Sequence, residues 1–342
     1  LKLLLQKEYT FIYSGNGLDY KKVEKIRQDW ISVKDAVVDF DRDAMNKFFV
    51  QDIGPDIDIV EQNGTLKVLP GEGVRSAEVS EIVRDGRKLQ VEESVANLVK
   101  TIENGGSEVA LSVSLVRGKI VNKTGADFPD LVLLGEGRSN FKGSPAGRDF
   151  NIRKGLSEKF HNVILKQGEE FSFNSYLGAV TYSNGWKGAL AIFGGSTLSM
   201  VPGGGLCQVS TTVYRAILNS GFWPSERHNH SLYVHYYTEY GDGLDSTIYP
   251  GQRDLRFTND TGGYLVIQAY AEGDDGYVRF YGVPDGRKTE LSGPFYSGKV
   301  PEELKDRIKV GWNQIKWLHK VTRSDGLEEE HEITSTYRTA PR

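Results

Sequence analysis

The chain has 342 residues, 38% hydrophobic and 26% charged, the balance of a folded globular protein, which excludes a disordered or fibrous chain. That length calls for two or three domains. A formal charge of −4, with Lys and Arg interspersed among Asp and Glu, gives no attraction for polyphosphate and excludes nucleic acid as the expected partner.

No stretch approaches the ~20 apolar residues of a membrane-spanning helix. The sequence opens on Leu1-Lys2-Leu3-Leu4-Leu5, without an initiator Met or a complete signal peptide. The expectation is that an upstream export signal or anchor has been trimmed away, so that any membrane association runs through it. The next signal is a helical stretch over Asp19 to Trp30. From Asp56 to Leu69 apolar residues alternate about Asn63-Gly64, a dipeptide that favours a tight turn, and predict a β-hairpin. Val91, Val95, Leu98, Val99 and Ile102 recur at steps of three and four ahead of Asn104-Gly105, which predicts a helix over 91–103 with a left-handed stop. A strand follows from Glu108 to Val116. These elements make a small α+β module over residues 1–121.

Between Asn122 and Ala146 the chain is rich in Gly, Pro, Ser and Asp and reads as a surface connector. A helix is expected over Arg148 to His161, with Phe150, Leu156 and Phe160 at helical spacing, and then a strand or turn around Gly168 to Asn174. From Leu232 onward the pattern predicts an antiparallel meander: Leu232 to Tyr237, Asp245 to Tyr249, Asp254 to Thr258, Tyr264 to Ala271 and Tyr277 to Val283. A domain over 140–285 results. A short β-rich segment over 290–342 closes the chain, with a helical turn at Glu302 to Ile308 and strands around Gln314 to Thr322 and Glu328 to Tyr337. The fold class is α+β.

The lone cysteine, Cys207, has no disulfide partner within the chain, so it is either buried filler or a reagent. It follows Gly203-Gly204-Gly205-Leu206, and Val213, Ala216, Ile217 and Ser220 carry helical spacing up to Gly221. Cys207 therefore opens a helix, where unpaired amides and the dipole favour the thiolate. The three glycines leave room for a substrate against the main chain, and nearby N–H groups can form an oxyanion hole. A thiolate that transfers acyl groups wants a base, and the chain has six histidines: His161, His228, His230, His235, His319 and His331. Strand alternation would put His228, His230, Leu232 and Val234 on one face. His230, at the expected loop-to-strand junction, is the candidate base. Asp245 and Asp254 are equal candidates to orient it. Arg227 is a candidate for a substrate carboxylate. His228-x-His230 is a weak half-signal for a metal, and the expectation is no metal and no cofactor, since no Walker loop or metalloprotease helix is present.

The run Gly203 to Thr212, with Phe171-Ser172-Phe173-Asn174 upstream and Arg227 to Ser231, Asp245-Ser246-Thr247 and Asp254-Leu255-Arg256-Phe257 downstream, resembles the VanW family over about residues 140 to 285. Residues 1–120 look like the peptidoglycan-binding module that often precedes such a domain. The resemblance implies an exported bacterial protein at the cell wall or cell surface, partnered by peptidoglycan stem peptides and glycan. It further implies an L,D-transpeptidase whose nucleophile matches Cys207 and whose motif histidine matches His230. Gly203, Gly204, Gly205, Gln208, Ser210, Thr211, Arg227, His228 and Ser231 then form the expected substrate-binding set. Trp186, Phe193 or Tyr236 would help to screen a thioester from water. The competing expectations are a cysteine peptidase of NlpC type and a wall-binding protein with no chemistry.

Overall fold

The computed structural model describes residues 5–34, 37–68, 77–193 and 197–339. It divides into two units, one comprising the chain up to Asn63 together with Ile82–Gly118, the other Gly64–Glu81 together with Lys119 onward.

In the first unit, strands Glu8–Gly15 and Leu18–Lys25 form an antiparallel hairpin, and Glu108–Ala110 joins the first of them in parallel. Asn16 and Gly17 turn the hairpin with φ of 48° and 72°, the left-handed pair that an Asn-Gly turn supplies at little cost. The helix expected over Asp19 to Trp30 is therefore corrected to a strand, followed by one 3₁₀ turn at Gln28–Trp30. Exposure alternates residue by residue along Leu18–Lys25, a period of two that the spacing of Val23, Ile26 and Trp30 obscures. The hairpin expected at Asn63-Gly64 is absent: Ile59 and Gln62 bridge to Arg87 and Arg84, and Gly64–Val68 is a strand of the other unit.

Helix Val91–Glu103 forms as its periodicity requires. It buries Val95, Leu98, Val99 and Ile102 in one core with Phe11, Trp30, Phe48 and Phe49. Gly105 takes the left-handed stop, at φ 70°. The strand expected over Glu108 to Val116 breaks into Glu108–Ala110 and Val113–Val116, because the Ser112 amide turns aside to donate to Ser94 Oγ at 3.0 Å.

The second unit is built on a seven-stranded sheet. Its order is Val163–Leu165, Leu265–Glu272, Asp275–Gly282, Leu131–Asn140, Lys119–Asn122, Gly64–Val68 and Ala77–Val79. The long strand Leu131–Asn140 replaces the middle of the expected surface connector, and its glycines are contact points. A Cβ on Gly137 would lie 1.9 Å from the Thr212 carbonyl oxygen, and one on Gly135 would lie 2.4 Å from the Asn219 carbonyl carbon. Helix Leu206–Asn219 rests there, backbone against backbone, which only glycine permits. Helix Ala146–Lys154 and its wider-wound continuation Gly155–Phe160 cover the predicted 148–161 stretch and bury Ile152, Leu156 and Phe160, while Phe150 stays exposed.

Of the expected meander, Arg256–Thr258, Leu265–Glu272 and Asp275–Gly282 are strands. The stretches 232–237 and 245–249 are not: a 3₁₀ turn occupies His235–Tyr237, and 241–251 is irregular. Gly241, Gly243 and Gly251 all adopt positive φ in that region, which breaks any ladder. The C-terminal sheet contains Lys288–Tyr296, Gln314–Thr322 and Glu328–Thr336, antiparallel throughout. A single 3₁₀ turn at Glu302–Leu304 stands where a helical turn was expected.

Candidate active site

Gly205, at φ 107°, caps helix Leu206–Asn219, so Cys207 lies in its first turn, where amides lack intrahelical acceptors and the dipole favours an anion. The glycines before it pack tightly. Added Cβ atoms would fall 2.3 Å from Val180 at Gly203, 2.6 Å from the Ala189 backbone at Gly204 and 2.9 Å from Arg148 Cγ at Gly205. Protein atoms thus occupy the space on the Cβ side of each glycine, where the missing side chain serves the approach of neighbouring elements.

His230 and Asp245 meet beside the thiol. His230 Nδ1 lies 2.5 Å from Asp245 Oδ2, and the same oxygen accepts the His230 backbone N–H at 2.8 Å. This clamps the imidazole beside the Cys207 thiol, where ring and sulfur each shift the other's ionisation. The sulfur also sits 3.6 Å from Thr247 Oγ1 and 3.8 Å from the Ile248 carbonyl oxygen. His230 is 5% and Asp245 2% exposed, while Cys207 is half-buried.

Asp245 is held in turn. Its Oδ1 accepts from Tyr337 Oη at 2.9 Å and faces Arg227 Nη2 at 3.4 Å. Of the two acids the sequence could not rank, Asp245 touches the imidazole. Asp254 accepts instead from Ser172, Asn174, Leu255 and Arg256 and ties together the turn that precedes strand Arg256–Thr258. Arg227 is directed inward: it donates to the carbonyls of Asp245, Gly243 and Thr334 and to Ser335 Oγ. It braces Asp245 from within and does not reach toward a substrate.

The polar residues of the Cys207 helix are likewise fasteners. Gln208 donates to the Asn140 carbonyl and to Ser139, and accepts from Arg148. Ser210 Oγ bonds Ser246 Oγ at 3.0 Å, and Thr211 Oγ1 accepts the Ser246 amide at 3.0 Å. Gln208, Ser210 and Thr211 are fully buried. Their side chains, expected to meet substrate, are engaged inside the protein: Gln208 ties the helix to strand Leu131–Asn140 and to Arg148, while Ser210 and Thr211 hold Ser246, and with it the 245–248 loop, over the helix start. His228 turns to Glu226, 3.2 Å away, so its ring and that of His230 have separate partners, and its carbonyl anchors the Thr247 amide. The Ser231 carbonyl accepts the Arg338 amide at 2.8 Å. Of the aromatics expected as a screen, Trp186 belongs to the core, Tyr236 stacks on Arg148 with the cation 4.2 Å from its centroid, and the Phe193 side chain lies outside the described residues. Tyr237, unremarked in the sequence, packs against the His230 ring at 5.3 Å.

Burial resists ionisation of Cys207, yet hydrogen bonding and charge from His230 outweigh it and bring the thiol down to about 7. Burial likewise opposes the imidazolium, and Asp245 and Cys207 outweigh that penalty to hold His230 up at about 9. The two titrate as a coupled pair, and near neutrality they form a thiolate beside an imidazolium. The iodoacetamide rate of Cys207 is accordingly expected to rise through about pH 7, well below the ~8.5 of a free thiol. A rise centred at or above ~8.5 would remove the activated thiolate from consideration.

Residues 147–281 match the family described as "VanW like protein", so the chain carries a VanW-like domain. That stretch includes Cys207, His230 and Asp245 but stops short of Tyr337. Over 174 residues the chain is 32% identical to the uncharacterized protein YoaR of Bacillus subtilis, covering 50% of this chain and 55% of that one. Over 114 residues it is 27% identical to the vancomycin B-type resistance protein VanW of Enterococcus faecalis, covering 33% and 41%. The chain thus spans about half the length of the curated relatives it matches. No solved structure matches it.

Proposed function

We propose that the VanW-like domain is a cysteine acyltransferase of the cell wall, an L,D-transpeptidase that crosslinks peptidoglycan stem peptides outside the cytoplasm. The reading rests on one observation: a sulfur in the first turn of a helix, its ionisation favoured by an imidazole that a buried carboxylate clamps. Likeness to a protein named for vancomycin resistance supports a wall substrate. The first unit would hold the protein on glycan or stem peptides.

In the proposed cycle the Cys207 thiolate adds to the carbonyl carbon joining the third residue of a stem tetrapeptide to its terminal D-Ala. The C–S bond forms, the C–N bond breaks, and the His230 proton leaves on the D-Ala amine. The side-chain amine of a third residue in a neighbouring stem then attacks the thioester. A new C–N bond forms as the C–S bond breaks, the amine's proton passes to His230, and the thiolate–imidazolium pair is restored.

Intact-protein mass spectrometry after exposure to a stem tetrapeptide tests this reading. The expected product is a tripeptidyl adduct on Cys207 that a second stem discharges as a crosslinked dimer. No adduct would sink the enzymatic reading, and shortened peptides with no joined product would make the protein a peptidase.

A further inference from the structure

Arg148 is a nearly buried cation with no anion. It is 9% exposed, and its guanidinium donates to Ser144 Oγ and Gln208 Oε1, each at 2.6 Å, both neutral acceptors. Among the described residues no carboxylate lies within ion-pair distance of it. Arg138, Arg153, Arg227, Arg256, Arg279 and Arg287 each meet one, and Arg215, more deeply buried, is met by four backbone carbonyls, against the two neutral side-chain acceptors of Arg148. The neighbouring Asp149 is engaged by Arg153. Burying an uncompensated charge is costly, and Arg148 also stands in the first turn of helix Ala146–Lys154, where the dipole disfavours a cation. Arg148 thus brings to the place a positive charge that no carboxylate offsets.

It is also at the thiol. The Arg148 stem lies against Gly205, two residues before Cys207, and its head reaches Gln208, one residue after. Tyr237, packed on the His230 ring, is within electrostatic reach of both Cys207 and Arg148. Tyr236 covers one face of the guanidinium. A stacked arginine keeps its edge N–H groups for a planar anion.

We infer that Arg148 receives the free C-terminal carboxylate of the acyl donor, so that the donor must end one residue beyond the bond that Cys207 attacks. This rests on the acyl-transfer reading and adds to it a chain-end specificity. The test compares a stem tetrapeptide ending in D-Ala carboxylate with the same peptide as carboxamide. Calorimetric binding to the Cys207→Ala protein needs no chemistry. The acid is expected to bind about tenfold to a hundredfold more tightly than the amide. Adding Arg148→Gln should erase the difference, and Arg148→Lys should keep part of it, which a packing role alone does not predict. Equal affinity for acid and amide, binding of neither, or discrimination that survives Arg148→Gln would overturn the assignment. Discrimination in binding with no acylation of the unmodified protein would keep Arg148 as the carboxylate receptor and sink the transferase instead.

Discussion

His230→Gln is expected to lower acyl transfer by about three orders of magnitude, within the 10²–10⁴ that a positioned acid–base group supplies. Two losses combine. The leaving amine has no proton donor, and the thiol loses the partner whose bond and charge outweigh burial. Burial then works unopposed, so the alkylation profile of Cys207 should move above the ~8.5 of a free thiol. Parallel measurement of transfer and alkylation separates the effects: at high pH alkylation recovers and transfer does not. Transfer within tenfold of the unmodified protein would eliminate His230 as the acid–base group.

Asp245→Ala should do more damage, because it acts on the fold as well as the chemistry. It leaves the Arg227 guanidinium without its carboxylate and removes the acceptor of Tyr337 Oη and of the His230 amide. Breaking a buried pair by removing one partner costs about 3–5 kcal/mol, measurable as a fall in the urea midpoint. A pH signature accompanies it. Burial resists ionisation of Asp245, but His230 and Arg227 outweigh it and hold the carboxyl below its usual range. That contribution is present above the unfolded carboxyl value near 4 and is lost as pH falls through the lower folded one. His230 is raised, so its contribution is complete below about 6.5 and is lost as pH climbs through about 9. Cys207, lowered to about 7, contributes in the opposite sense, its share growing as pH rises toward the ~8.5 of a free thiol. The imidazole is therefore read in a Cys207→Ala background, which should lose stability between about pH 6 and about pH 10 and, with Asp245→Ala added, should lose much less over that span. An alkaline decline equal in both would show that the clamp contributes nothing to stability.

The helix over 91–103 and the strands Asp275–Gly282, Gln314–Thr322 and Glu328–Thr336 were legible from sustained periodicity, and Leu265–Glu272 from a short apolar run buried on both faces. Cys207 at a helix start was legible from the glycine run and the apolar spacing after it. Asn-Gly misled twice, unnoticed at Asn16-Gly17 where it turns a hairpin and credited at Asn63-Gly64 where it does not, because distant strands and not the dipeptide decide the pairing. The orienting acid was beyond reach for a related reason. Asp245 lies in an irregular loop whose course is set by Ser210, Thr211 and Arg227 bonding to its backbone, and no local periodicity reports such bonds. Gln208, Ser210 and Thr211 look like substrate contacts in a motif string, yet they face inward because polar groups buried on a helix need partners. Tyr337 shares a face with Ile333 and Ser335 at the chain's far end, and only the folded sheet brings it to Asp245.

Where Gly135 and Gly137 let strand and helix touch main chain to main chain, no compressible side-chain layer remains between them. The nucleophile's elevation above the sheet is therefore mechanically stiff, and the helix cannot slip by a turn without lifting off. With Asp245 pinned as well, any adjustment that admits or discharges a substrate falls to exposed side chains such as Tyr236, while the sulfur stays at a constant height.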